Sequence, residues 1–373
     1  MTIATTRAAL PGQTGPGQTG PGQPGFGRPE PERPDRELPD RELPDREPSD
    51  REPSDREASG CVGHRGVEER ELSADGFRFV SRVAWCEHPS TEPFLILGGS
   101  SQDRLSWTRF ERALLPLGHV ITVDLPGYGG AAFLPARHGI DFLADAVLGT
   151  LDDLGVSRAN LLGACFGGAI GLRFAQRHPD RVRRLMLVGM TRDLPKDYTD
   201  CVPRWMAMLA EGRSDDIARE LVDRFMSPPG TGTVRRYAAV SRLLYRQFAG
   251  RSAEEVRMDV EHNHRLMSHD WYVPRPAPRV PALVLTGEHD TLTPPAMGLA
   301  AARCLEGAWF TTVKEADHLL PVERSDELGD LIARFCTDRA IDPLPYCHPA
   351  TFVPAAGQEL PGNGAPLGMP AAT

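Results

Sequence analysis

The amino-acid order predicts an α/β protein: a mostly parallel central sheet flanked by helices, with a helical insertion before the last strands. Three observations carry the prediction. Between about Asp75 and Val188, apolar runs of strand length alternate with stretches of helical spacing. From Met190 to about Pro278 the strand signal vanishes and four helical patterns follow one another, separated by Gly and Pro. It then returns at Pro281-Ala282-Leu283-Val284-Leu285-Thr286.

In chain order, Phe77 to Trp85 alternates as a strand, and Pro93-Phe94-Leu95-Ile96-Leu97 is continuously apolar, as a strand buried on both faces must be. That run stops at Gly98-Gly99-Ser100-Ser101, and a helix is expected from about Asp103 to Leu115. His119 to Val123 reads as the next strand, ended by Asp124-Leu125-Pro126-Gly127-Tyr128-Gly129, and Phe142 to Leu154 has helical spacing. Ala159 to Leu162 is a strand, Gly171 to Gln176 lies in a helix, and Arg184 to Val188 is again a strand. The insertion's helices are expected over Tyr198–Glu211, Ser214–Met226, Val234–Phe248 and Ala253–Met267. Ala308 to Val313 supplies a further strand and Glu323 to Cys336 a closing helix. The core is thus expected over 75–190 and 279–340, with a helical cap over 191–278.

The ends read differently. Gly-Gln-Thr-Gly-Pro repeats from Gly12, and Pro-Asp-Arg-Glu-Leu repeats from Pro34 until it decays at Ser54. A five-residue period matches neither a helix face nor a strand face, so residues 1–70 are expected to be a disordered arm. Residues 343–373, rich in Pro, Gly and Ala, are expected to be a flexible tail.

Composition removes several classes of function. The formal charge of −9 is concentrated in residues 30–57, where twelve acidic residues face six arginines, so no basic face for nucleic acid is indicated. No apolar run approaches a membrane span, and Met1 to Leu10 lack the core of a secretory signal, which points to the cytoplasm. The seven cysteines are scattered without a C-x-x-C pair, so neither a disulfide framework nor a zinc site is expected.

One cysteine is placed differently from the others. Gly163-Ala164-Cys165-Phe166-Gly167-Gly168 follows an apolar strand and opens a helix. On such a tight turn the central side chain stands clear of both elements, and glycines two residues to either side are needed because a side chain there would collide with its neighbours. The helix N-terminus directs N–H groups at that side chain, which favours a thiolate and can hold a developing oxyanion.

Together with Gly98-Gly99-Ser100, the Asp124 to Gly129 turn and the later loops, this stretch resembles the α/β-hydrolase superfamily over about residues 75–340. In that family a nucleophile, an acid and a histidine follow in this order. The resemblance places Asp290, in Thr286-Gly287-Glu288-His289-Asp290-Thr291-Leu292-Thr293-Pro294, as the acid. It places His318, in Glu315-Ala316-Asp317-His318-Leu319-Leu320-Pro321, as the base and Cys165 as the nucleophile. The backbone N–H groups of Ser100 and Phe166 would form the oxyanion hole. Two departures stand out: Gly98-Gly99 replaces the usual His-Gly, and cysteine replaces the usual serine. The cysteine box itself is similar to those of polyhydroxyalkanoate synthases and, more loosely, dienelactone hydrolases.

Sulfur narrows the chemistry. Attack by thiolate on a thioester exchanges one carbon–sulfur acyl bond for another, close to thermoneutral, whereas forming an acyl-thiol from an oxygen ester is uphill. The expected donor is therefore a small-molecule acyl (thio)ester, such as a coenzyme A or carrier-protein conjugate, with hydrolysis or acyl transfer as the outcome and no cofactor or metal required. Elimination by His318 without a covalent intermediate, and a non-catalytic ligand-binding protein, are the competing readings. Glu288 and Asp317 compete with Asp290, and His289 with His318. His262, His264 and His269 with Asp270 mark either a polar helix face or the rim of an acyl pocket. Trp205, Met206 and Met208 fit the insertion's own core better than a pocket wall.

Overall fold

The computed structural model describes residues 64–100 and 102–355. The strands are β1 (His64–Ala74), β2 (Phe77–Cys86), β3 (Phe94–Leu97), β4 (Val120–Asp124), β5 (Ala159–Ala164), β6 (Val182–Val188), β7 (Ala282–Gly287), β8 (Ala308–Val313) and β9 (Thr351–Val353). They form one sheet in the order β1-β2-β4-β3-β5-β6-β7-β8-β9. From β4 through β3, β5, β6 and β7 to β8 every pair is parallel, while β1, β2 and β9 are antiparallel additions at the two edges.

The helices are α1 (Thr108–Leu114), α2 (Ile140–Asp153), α3 (Phe166–Arg177), α4 (Lys196–Ala210), α5 (Ser214–Phe225), α6 (Tyr237–Ala249), α7 (Ala253–Ser268), α8 (Pro295–Ala302), α9 (Leu320–Glu323) and α10 (Ser325–Cys336). Alternate strand residues enter two different cores, which is why the central strands read as unbroken apolar runs. Leu95, Leu97, Ile121 and Leu161 pack with residues of α2 and α3 on one face. Phe94, Ile96, Val120 and Leu162 pack with Phe110 of α1 and Leu331 of α10 on the other.

Helices α4 to α7 all lie between β6 and β7. Phe225, Met226, Val240, Leu244 and Phe248 form a separate apolar cluster there, and Val202, Trp205, Met208 and Ile217 form another.

Four expectations need correction. The arm was expected to reach residue 70, but β1 begins at His64 and pairs along its length with β2. Its run Val67-Glu68-Glu69-Arg70-Glu71-Leu72 is mostly charged because it is an edge strand open to water, so it lacks the apolar signature. Residues 1–63, which hold both repeats, lie outside the described residues. The tail was expected from residue 343, yet β9 pairs with β8 and Cys347 is buried; residues 356–373 lie outside the description. The first helix was expected from Asp103, but α1 starts at Thr108 because the Asp103 carboxylate accepts the N–H groups of Leu105 and Ser106, holding a turn instead. The closing helix divides into α9 and α10 at Arg324.

Candidate active site

Cys165 occupies the turn between β5 and α3 with φ +51° and ψ −118°, a conformation that L-residues rarely adopt. The sequence explains how the chain turns so tightly. A Cβ on Gly163 would lie 2.5 Å from the Gly167 carbonyl oxygen, and one on Gly168 2.7 Å from Cγ of Met190. A Cβ on Gly167 would overlap the carbonyl oxygens of Leu97 and Gly98 at the end of β3. The turn is tied down by Cys165 N–H donating to Val188 O at 2.8 Å and Gly168 N–H donating to Cys165 O at 2.9 Å.

Asp290 follows β7, and His318 follows β8 on a separate loop; the parallel order of β5, β6, β7 and β8 brings both loops to the strand ends where Cys165 stands. His318 Nδ1 lies 3.0 Å from Asp290 Oδ2 and 3.2 Å from Thr293 Oγ1. Asp290 is held by the N–H groups of Leu292 (3.0 Å) and Thr293 (2.7 Å) and by the Thr293 hydroxyl (2.7 Å). Gly189, at φ +56°, leaves room for the ring, since a Cβ there would sit 3.2 Å from His318 Cε1.

Burial works against a charged imidazole, but the Asp290 carboxylate and Cys165 outweigh it through charge and hydrogen bonding. His318 is therefore held well above the usual histidine range.

The competing residues are placed elsewhere. Glu288 accepts the Glu315 N–H and lies 3.0 Å from His348 Nε2. His289 lies 3.7 Å from Glu288. Asp317 accepts the backbone N–H groups of His318 and Ser227, so the segment after α5 clamps the histidine loop.

Three groups supporting the site carried no clear sequence signal. Thr293 binds both members of the His318–Asp290 pair. Gln102 Oε1 accepts the Gly99 N–H at 2.7 Å and braces the turn that carries Ser100. Glu323 accepts the Asp317 N–H at 2.5 Å from beneath the histidine loop. In the Asp124-to-Gly129 turn, Asp124 accepts the N–H groups of Arg104 and Gly130 and pairs with the Arg104 guanidinium at 2.6 Å.

Glu323 gives a pH prediction. Burial, with Asp317 nearby, pushes its carboxyl up to about 8 despite the Asp317 N–H. Below about pH 4.5 the group is neutral whether the chain is folded or not. As pH rises toward 8 only the unfolded chain releases the proton, so this group's contribution to stability falls across that window. Glu323→Gln should match wild type at pH 4 and exceed it by a few kcal/mol at pH 8 to 9, the order that a shift of this size represents. Urea unfolding at the two pH values checks it, and an equal difference at both would contradict the burial argument.

Cys165 opens into a small, mostly apolar chamber of about 80 Å³, lined also by Ser100, Phe166, Tyr198, Phe225 and His262. Tyr198, His262 and Phe225 come from the α4–α7 insertion. A larger cleft of about 620 Å³ adjoins it, sharing Ser100 and His262 and bounded by Arg246, Arg251 and Asp259. Ser100 thus stands in the chamber with Cys165, and Phe166, the first residue of α3, is at a position whose N–H has no acceptor within the helix. Of the marked histidines, His262 reaches the chamber, His264 is exposed, and His269 bonds to Ala136 O. Trp205 and Met208 are buried in the insertion's core.

A parallel sheet with a strained residue between strand and helix, facing a buried His–Asp pair from later loops, defines an α/β-hydrolase architecture. Residues 92–324 match the model of the alpha/beta hydrolase fold family, and the chain belongs to that family. Among its relatives, the pimeloyl-[acyl-carrier protein] methyl ester esterase of Neisseria meningitidis is 30% identical over 209 residues, which cover 53% of this chain and 75% of the esterase. The dihydrolipoyllysine-residue acetyltransferase component of the acetoin cleaving system of Pseudomonas putida is 25% identical over 248 residues; these span 65% of this chain and 63% of that protein's length. The enol-lactonase of Burkholderia xenovorans LB400 shares the fold with a TM-score of 0.62 at 22% identity, over 72% of this chain and 100% of the lactonase.

Proposed function

We propose that the protein is an acyl-transferring hydrolase in which Cys165 is the nucleophile, His318 the general base and acid, and Asp290 the residue that orients the imidazole. The observation that carries this reading is the positive-φ backbone of Cys165 at the strand–helix turn, beside a buried His318 that Cys165 and Asp290 together hold well above the usual histidine range and whose Nδ1 faces Asp290. A buried structural cysteine needs neither feature.

In the reaction, the Cys165 sulfur attacks the acyl carbonyl and its proton resides on His318. The oxyanion is met by the N–H groups of Ser100 and Phe166. Collapse expels the donor thiol or alcohol, which takes the proton from His318 and leaves an acyl-thioester on Cys165. His318 then removes a proton from water or an acceptor hydroxyl or amine. That nucleophile takes the acyl group and the Cys165 sulfur leaves. The donor we favour is an acyl thioester, for the thermoneutral first step. The chamber would hold the acyl group and the adjoining cleft the remainder of the donor. Intact-protein mass spectrometry with a panel of acyl thioesters tests this: a mass gain mapping to Cys165, lost in Cys165→Ala, is expected. Absence of both adduct and thiol release across the panel would sink the acyl-enzyme.

A further inference from the structure

Tyr128, His262 and Arg265 form a buried relay that ends at the Cys165 chamber. Arg265 is 1% exposed, and its hydrogen bonds all go to neutral oxygens: His138 O at 3.0 Å, Leu134 O at 2.5 Å and the Tyr128 hydroxyl at 3.1 Å. Tyr128 comes from the loop after β4, whereas His262 and Arg265 lie on α7, so the relay also joins the insertion to the core. A guanidinium can only donate. The Tyr128 oxygen accepts from Arg265, and among the described residues His262 Nδ1, 3.0 Å away, is the partner left for the hydroxyl proton.

That arrangement bears on the state of His262. With Nδ1 accepting, a neutral ring carries its proton on Nε2. Burial, reinforced by the charges of Arg265 and Arg251, depresses its pKa to about 3, so the ring stays neutral through the working range. The same ring packs edge-on against Phe166, centroids 4.8 Å apart at 86°, next in sequence to Cys165. In that tautomer His262 is a neutral N–H donor on the wall of a mostly apolar chamber, whose other polar side chains are Ser100, Thr191, Arg192, Tyr198 and Thr293.

Resting on the acyl-transfer reading above, we infer that His262 is a specificity-determining residue whose Nε2–H binds an oxygen of the acyl group itself. The substrate class is then an acyl chain bearing an oxo oxygen within a few atoms of the reacting carbonyl, not a plain alkanoyl chain. The physical basis is asymmetric: an oxo group satisfies the donor, whereas an unsubstituted chain strips it of water and leaves it unpaired.

The test uses binding, so that it does not depend on an acyl-enzyme forming. Full-length Cys165→Ala protein is titrated calorimetrically with two pantetheine conjugates in which an amide replaces the thioester, one butanoyl and one β-oxobutanoyl. The β-oxo compound should bind roughly 10- to 100-fold more tightly. Adding His262→Phe, which keeps an aromatic edge against Phe166, should bring the ratio to near one. His262→Gln, whose amide can donate from a similar position, should restore part of it. A ratio near one in the Cys165→Ala protein, or one that survives His262→Phe, overturns the inference. A preserved ratio lost on His262→Phe, with no covalent labelling of wild-type Cys165, would instead uphold this donor and reject the acyl-enzyme.

Discussion

Replacing Cys165 by alanine is expected to lower turnover of acyl thioesters by about 10⁴- to 10⁶-fold while leaving the fold intact. The size follows from the proposed covalent route, in which without sulfur no acyl-enzyme forms and only binding and the oxyanion donors remain to assist water. Alanine keeps the Cβ and so adds no atom to the turn, although it inherits the positive φ. His318→Ala should fall by a similar order, because in the proposed route one imidazole serves as base for the attack and as acid for the leaving group. Added imidazole should recover part of the His318→Ala loss and none of the Cys165→Ala loss. Both variants are read by thiol release from acyl thioesters, with far-ultraviolet circular dichroism as the check on folding. Substantial turnover by Cys165→Ala would favour elimination by His318 without a covalent intermediate.

Gly167→Ala should be as damaging to stability as the first change is to turnover. The added Cβ would overlap the carbonyl oxygens of Leu97 and Gly98, which are backbone atoms of a central strand and cannot swing aside as a side chain could. Relief requires α3 to lift off the end of β3, and with it the sheet face on which Ile170 and Phe174 are packed. The expected cost is about 4 kcal/mol or more, in the exceptional range for one methyl group. Soluble yield and urea unfolding measure it. Gly149→Ala on the same protein is the control, since nothing lies within 4 Å of a Cβ there. An equal effect of the two substitutions would mean that the close approach at Gly167 does not limit stability.

The outcomes bear on different links of one chain of cause. The Gly167 result concerns how the turn is built, and the Cys165 and His318 results concern what the turn does. The His262 titration concerns which acyl group is chosen. Glu323 reports on the loop that positions His318, because its carboxyl group accepts the Asp317 N–H one residue before that imidazole.

By itself the sequence determined the alternation of strands and helices, the place of the helical insertion, and the three segments that carry Cys165, Asp290 and His318. These are local signals. An apolar run buried on both faces, a pair of glycines two residues either side of a turn, and helix spacing over a dozen residues are each legible without knowing what packs against them. Edge strands were not legible, because β1 is solvated and charged and β9 has only three residues; their pairing with β2 and β8 is a property of the sheet rather than of the segment. The resemblance placed Asp290 ahead of Glu288 and Asp317 as the acid, but only the packing of the two loops sets its 3.0 Å approach to His318. It also decided which of the insertion's histidines reaches the chamber, His262. His262 and His264 on α7, and His269 and Asp270 just past its end, could not be ranked until α7 was laid against the loop after β4. There His262 lies beside the Tyr128 hydroxyl that Arg265 holds, on the wall of the chamber. A hydrogen bond across 134 residues is a long-range fact, and no local pattern encodes it.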